Sequence, residues 1–174
     1  EISSTQIRQD IKASSVGQKD NNLVIGLTGR VGSGKTFAAK IIQDSFKNTK
    51  IIDLDKIGHK LLEEPSIKRK LIAKFSKDIL TKSEKTSRKK LGDLAFANKE
   101  NLSALNKIMH PAIKDIVIEK IEKFSNKKIV IVGALIEEIG LKSICDKTIV
   151  VVAEKTKIKP LSNQKIKIAK IQRS

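Results

Sequence analysis

The sequence predicts an α/β protein built on a doubly wound parallel sheet, and three observations carry that reading. Short, nearly continuous apolar runs recur at residues 23–27, 50–54, 128–132 and 148–152, as expected of strands buried on both faces. Stretches with apolar residues at helical spacing separate these runs. A glycine-rich segment, residues 29–34, joins the first run to the first helical stretch, the kind of connection that open α/β folds use at their ligand-binding edge.

Taken in order, residues 1–20 are polar and end in Gly17-Gln18-Lys19-Asp20-Asn21-Asn22, which reads as a linker. Leu23-Val24-Ile25-Gly26-Leu27 is the first strand. From Thr36, the set Phe37, Ala38, Ile41, Ile42 and Phe46 predicts one apolar helix face. Lys50-Ile51-Ile52-Asp53-Leu54-Asp55 is a second strand ending in carboxylates. Residues 57–126 read as helical, with one amphipathic set over Leu61–Phe75 positions and another from Leu91 to Met109. His110-Pro111 is expected to restart the chain, because Pro suits a first helical turn. Two further strands follow at 128–132 and 148–152. The last twenty residues, rich in Lys and Ile, show no recognisable terminal strand.

The composition narrows the function classes. The 174 residues carry a net charge of +17 and five Phe, with no Trp or Tyr. Lysines are spread along the whole chain without interleaved aromatics on which bases would stack. The charge therefore reads as a solvated surface that steers a small polyanionic substrate, with no specific nucleic-acid partner. The one cysteine, Cys145, excludes an internal disulfide and a cysteine-built metal site. That fits a reducing, cytoplasmic setting. The apolar runs are too short to span a membrane.

The chemistry-bearing motif is Gly29-Arg30-Val31-Gly32-Ser33-Gly34-Lys35-Thr36, which follows G-x-x-x-x-G-K-[ST]. In this pattern successive backbone N–H groups turn inward around a phosphate and the following helix N-terminus adds a positive dipole. Lys35 reaches the β- and γ-phosphates, and the Thr36 hydroxyl is placed for Mg²⁺. All eight residues are thus assigned to ATP. Asp53 and Asp55 stand where the second strand meets the ligand edge, and strand alternation would send them to opposite faces. A carboxylate there can accept a proton from an attacking hydroxyl, hold Mg²⁺ through water, or cap the next helix. Catalysis is the reading preferred for Asp55, and capping or support for Asp53. His59 and His110 are too far apart for a local metal motif. The basic stretch 82–90 is a solvated face or a grip on an anionic substrate.

On these residues the chain resembles the dephospho-coenzyme A kinase family. The resemblance runs through residues 25–36, then Ile51-Ile52-Asp53-Leu54-Asp55 with Ile57, His59 and Leu61-Leu62. It continues through Phe75, Asp78-Ile79-Leu80, Arg88, Leu91-Gly92, Phe96, and residues 105–113 with His110-Pro111. It implies a P-loop kinase fold with a helical substrate-binding insert at about 57–126 within a domain at 21–174. It also implies transfer of the ATP γ-phosphoryl group to the ribose 3′-hydroxyl of dephospho-coenzyme A. Asp55 then matches the catalytic base, with Lys35 stabilising the transferred group and Thr36 helping to hold Mg²⁺. His59, Arg88 and His110 match positions in the substrate-facing insert. Residues 1–8 resemble an I-S-S-T-x-x-R motif near the end of nucleotidyltransferases. This implies the tail of an upstream adenylyltransferase domain, fused as in bifunctional coenzyme A synthases.

Departures from the family pattern are concentrated late in the chain. An Asp expected at the end of the third strand is Val132, while Glu138 keeps a Glu that follows it. The segment 153–160 is short for the family's lid helix and lacks its two arginines. A nucleotide-binding module of a coenzyme A synthase with impaired catalysis, or another P-loop small-molecule kinase, are the alternatives these departures raise.

Overall fold

The computed structural model describes residues 22–153 and the backbone of 167–172. The expectations for residues 1–20, and those for the lid segment beyond Ala153, lie outside the described residues. The chain divides into two compact units, one formed by Glu1–Asp53 with Glu119–Ser174 and the other by Leu54–Ile118.

The first unit is built on a sheet of order β2-β3-β1-β4-β5. Its strands are β1 (Leu23–Thr28), β2 (Thr49–Asp53), β3 (Lys128–Val132), β4 (Lys147–Val152) and β5 (Lys167–Gln172). β1 pairs in parallel with β3 and with β4, and β2 pairs in parallel with β3. Leu23 through Leu27 are all buried, as a strand with neighbours on both sides and cover on both faces must be. Gly26 belongs to this close fit. A Cβ there would stand 3.1 Å from Cys145 Sγ and 3.3 Å from Thr148 Oγ1. Asp146 pins the lower end, its carboxylate accepting from the Val24 N–H at 2.7 Å.

β5 corrects the expectation of no terminal strand: it pairs antiparallel with β4, Val151 opposite Ile168 and Ile149 opposite Ile171. The sequence hid it because lysines alternate irregularly with its apolar residues, as on an edge strand (Lys167-Ile168-Ala169-Lys170-Ile171).

Helix α1 (Lys35–Ser45) lies on the β1–β3–β4 face through Ala38, Ala39, Ile42 and Phe46. Phe37, expected on this stripe, is instead 59% exposed. At 100° per residue it falls off the face defined by Ala38 and Ile42.

The second unit is helical: α2 (Leu54–Leu61), α3 (Pro65–Phe75), a 3₁₀ turn at Lys77–Ile79, α4 (Arg88–Ala95) and α5 (Lys99–Glu122), whose last turn belongs to the first unit. α3 starts at Pro65 behind Glu64, whose carboxylate accepts from the Ile67 N–H at 3.0 Å. Leu71 and Ile79 are fully buried. Thr86 ties the connection down, its hydroxyl donating to Leu62 O at 2.8 Å. Pro111 does not restart the chain. It sits inside one continuous helix. Met109, Ile113 and Val117 are buried at four-residue spacing across it. That single stripe offsets the hydrogen bond and the steric room that an interior Pro costs, about 3 kcal/mol.

Candidate functional site

The phosphate loop forms where β1 runs out. Thr28 anchors its root by donating to Ala134 O at 3.2 Å, and Gly133 N–H donates to Leu27 O at 3.1 Å. The chain then turns through three glycines with positive φ: Gly29 at 145°, Gly32 at 80° and Gly34 at 89°. Their requirements differ. A Cβ at Gly29 would lie 2.3 Å from the Val151 carbonyl oxygen, so the loop base is packed onto β4. A Cβ at Gly32 would meet nothing within 4 Å, so there the backbone faces open space.

Gly34 is the residue before α1, and no side chain caps that helix; its first turn holds no acidic residue. Its leading N–H groups are therefore left for an anion. Lys35 donates two of its three N–H groups to Gly29 O and Arg30 O, both at 2.9 Å. One donor remains on an ammonium already fixed over the loop. Ser33 N–H closes the turn onto Arg30 O at 3.1 Å, while the Ser33 hydroxyl is buried without a partner. Arg30, Val31 and Thr36 are exposed. An ammonium with one donor to spare, an uncapped helix start and the open backbone at Gly32, with Thr36 exposed in the first turn, fit the phosphates of a nucleotide.

The carboxylates lie differently from the strand-end expectation. β2 stops at Asp53, and Asp55 is in the first turn of α2. Strand alternation therefore does not set their directions. The strand ends early because its last pairing is Asp53 with Val132, beyond which no partner continues. Asp53 is half-buried and Asp55 exposed. Val132 itself is buried at the end of β3, and Glu138 is exposed in the turn that follows.

Of the three other candidates, two meet. His59, in the last turn of α2, and Arg88, the first residue of α4, are joined by a contact of 2.8 Å between Nε2 and Nη1. His110 is half-buried within α5 and takes no part in that contact. Gly58 lies next to α5, its Cβ position 3.9 Å from Ile113 Cδ1, one turn from His110. The 29-residue separation of His59 and Arg88 gave no sequence signal for their pairing. Among the described residues no cluster of three or more His, Cys, Asp or Glu forms a metal site, and no helix is long and apolar enough to cross a membrane.

Comparison with known proteins agrees with this geometry. The family model described as dephospho-CoA kinase matches residues 23–170. A dephospho-CoA kinase of Fusobacterium nucleatum is 37% identical over 132 residues, 76% of this chain and 67% of the relative. One of Dehalococcoides mccartyi is 32% identical over 138 residues, 78% of this chain and 69% of the relative. Among solved structures, a dephospho-CoA kinase from Campylobacter jejuni matches with TM-score 0.52 and 29% identity, over 74% of this chain and 63% of that one. A Thermus thermophilus protein, TT1252, shares the fold at TM-score 0.62 and 24% identity, over 75% of this chain and 65% of that one. The chain thus spans about two thirds of the length of the relatives it matches.

Proposed function

The chain belongs to the dephospho-CoA kinase family, and from that premise we propose that it transfers the γ-phosphoryl group of ATP to the ribose 3′-hydroxyl of dephospho-coenzyme A, the last step of coenzyme A synthesis. The observation that carries the reading is a family match running through the phosphate loop and the helical unit alike, residues 23–170.

In the proposed reaction the 3′-oxygen attacks the γ-phosphorus, and the bond from that phosphorus to the β–γ bridging oxygen breaks. The hydroxyl proton passes to the Asp55 carboxylate, leaving ADP and a new phosphate ester. The N–H groups of residues 29–36 and the remaining Lys35 donor receive the β- and γ-phosphates, stabilising charge as it shifts toward ADP. Thr36 is the protein hydroxyl offered to Mg²⁺, which when bound neutralises phosphate charge. Arg88 contacts the acceptor from the helical unit, and His110 supports it.

The same reading makes residues 21–174 the kinase-like part, with its helical insert at about 57–126 and ATP and Mg²⁺ drawn from the cytoplasm. Residues 1–20 are then the end of an adenylyltransferase to which it is fused, supported by the Ile2-Ser3-Ser4-Thr5 and Arg8 motif.

A coupled assay of ADP release with Mg-ATP and dephospho-CoA, with mass analysis of the product, tests the proposal. Asp55→Asn should lower kcat by about 10²- to 10⁴-fold. ADP release independent of the acceptor, or an unchanged rate in that variant, would overturn it.

A further inference from the structure

The first hydrogen bond inside α1 runs from Ala38 N–H to Gly34 O at 2.9 Å. Among the described residues, the N–H groups of Lys35, Thr36 and Phe37 therefore have no carbonyl partner. Phe37 carries the last free donor of that row. Its ring is 59% exposed, whereas Phe46, at the other end of α1, is buried. An exposed Phe is ordinary in itself. This one stands at the end of the helix where an anion is received. In a helix the Cα–Cβ bond tilts toward the N-terminus, and the χ1 values open to an aromatic side chain carry its ring back over the preceding turn. The ring of Phe37 thus leans toward the loop end of α1. It lies outside the stripe of Ala38, Ala39 and Ile42 that seats the helix on the sheet.

We propose that Phe37 is the stacking surface for the base of the donor nucleotide. The inference deepens the proposed kinase reading and rests on its claim that the loop holds a nucleoside triphosphate. With Lys35 on the β- and γ-phosphates, the α-phosphate falls at the end of the free row, by the Phe37 N–H. The nucleoside is joined to that phosphate, so its base comes within reach of a ring leaning over the same turn. Ring and base each cover an apolar face of the other, and offset stacking adds to the gain. A hydrocarbon ring reads no hydrogen-bonding edge, so at this position adenine and guanine are equivalent. Purines are favoured over pyrimidines because they cover more area. Phe37 thereby selects the donor by the size of its base, and accepts ATP and GTP alike.

The chain has no Trp, so Phe37→Trp places a single indole at the position in question. Its fluorescence should change with Mg-ATP and Mg-GTP, and stay unchanged with Mg-tripolyphosphate, which offers the phosphates without a base. Calorimetric titrations without the acceptor complete the test. Phe37→Ala should raise Kd for ATP and GTP by about five- to a hundredfold, the range for losing one stacked base. CTP should lose less, and tripolyphosphate should bind as it does to the wild type, which also shows that the variant is folded. Phe37→Tyr keeps the ring and should bind all four near wild type. Equal weakening of ATP and tripolyphosphate in Phe37→Ala would overturn the proposal, since the ring would then shape the loop and meet no base. So would unchanged ATP affinity, an indole response to tripolyphosphate equal to that for ATP, or weakening of dephospho-CoA, the other adenine-bearing reactant, in place of ATP. Base-dependent losses in a chain whose wild type does not turn over dephospho-CoA would refute the kinase reading and leave the stacking surface standing. A wild type that binds no ATP would refute both.

Discussion

The phosphate loop and the helical unit make their candidate sites from different parts of the chain. In the loop the candidate binding groups are backbone ones: N–H groups, a helix end and three glycines with positive φ. In the helical unit the candidates are exposed side chains on α2 and α4, helices whose buried residues are ordinary core. A backbone site is rigidly specified, because each dihedral and each close approach is needed for both fold and function. A side-chain site separates the two tasks. Exposed Asp55, His59 and Arg88 contribute little to stability, whereas the leucines beneath contribute nothing to the chemistry.

The largest effect should come where fold and function coincide most tightly. Gly29→Ala places a Cβ 2.3 Å from the Val151 carbonyl, a contact between two backbone segments that no rotamer can relieve. Its φ of 145° is also one that L-residues avoid. The expected cost is about 3 kcal/mol or more, with loss of ATP binding at temperatures where the protein is still folded. Denaturant titration and nucleotide titration of the same variant check both parts. Normal ATP affinity in Gly29→Ala would break the claim that the loop's binding geometry depends on this packing.

Next in size is the core beneath the side-chain site. Leu71 on α3 is fully buried, so Leu71→Ala should cost about 2–5 kcal/mol through lost burial and the cavity left behind. Urea denaturation measures it. The outcome sharpens the comparison if dephospho-CoA affinity stays near wild type where the variant is folded. A large affinity loss under those conditions would mean that core and site are not separable there.

The same division explains what the sequence made legible. Buried strands 23–27, 128–132 and 148–152 were readable because parallel strands have no polar face to interrupt them. The loop was readable because backbone sites force a fixed glycine spacing. The sequence places Asp55 at a strand end, whereas β2 pairs only as far as Asp53 opposite Val132, and pairing partners are invisible in a single chain. Local propensity makes Pro111 a boundary. The stripe Met109–Ile113–Val117 overrode it, and only the folded helix shows that stripe to be continuous. β5 is illegible in the sequence for a related reason: its pairing with β4 is set by register, and its lysine-rich sequence carries no clear alternation. The His59–Arg88 contact joins residues 29 apart through the geometry of two helices, and no periodicity announces such a meeting.

The smallest predicted effect has the opposite sign and comes from the loop itself. The Ser33 hydroxyl is buried at 5% exposure with no hydrogen-bond partner. A desolvated hydroxyl that finds no partner carries a penalty of about 1–3 kcal/mol relative to one left in water. Replacing it by hydrogen removes that penalty and leaves nearly all of the side chain's packing. Ser33→Ala should therefore not destabilise the nucleotide-free protein, and should stabilise it by up to about 1 kcal/mol, a rise in Tm of about 2–4 °C. Thermal denaturation without nucleotide gives the answer. A fall in Tm would mean that the hydroxyl is paired in solution and that the loop tolerates no unspent side-chain donor. A rise would mean that, in this most constrained part of the molecule, one polar group is kept at a cost to stability.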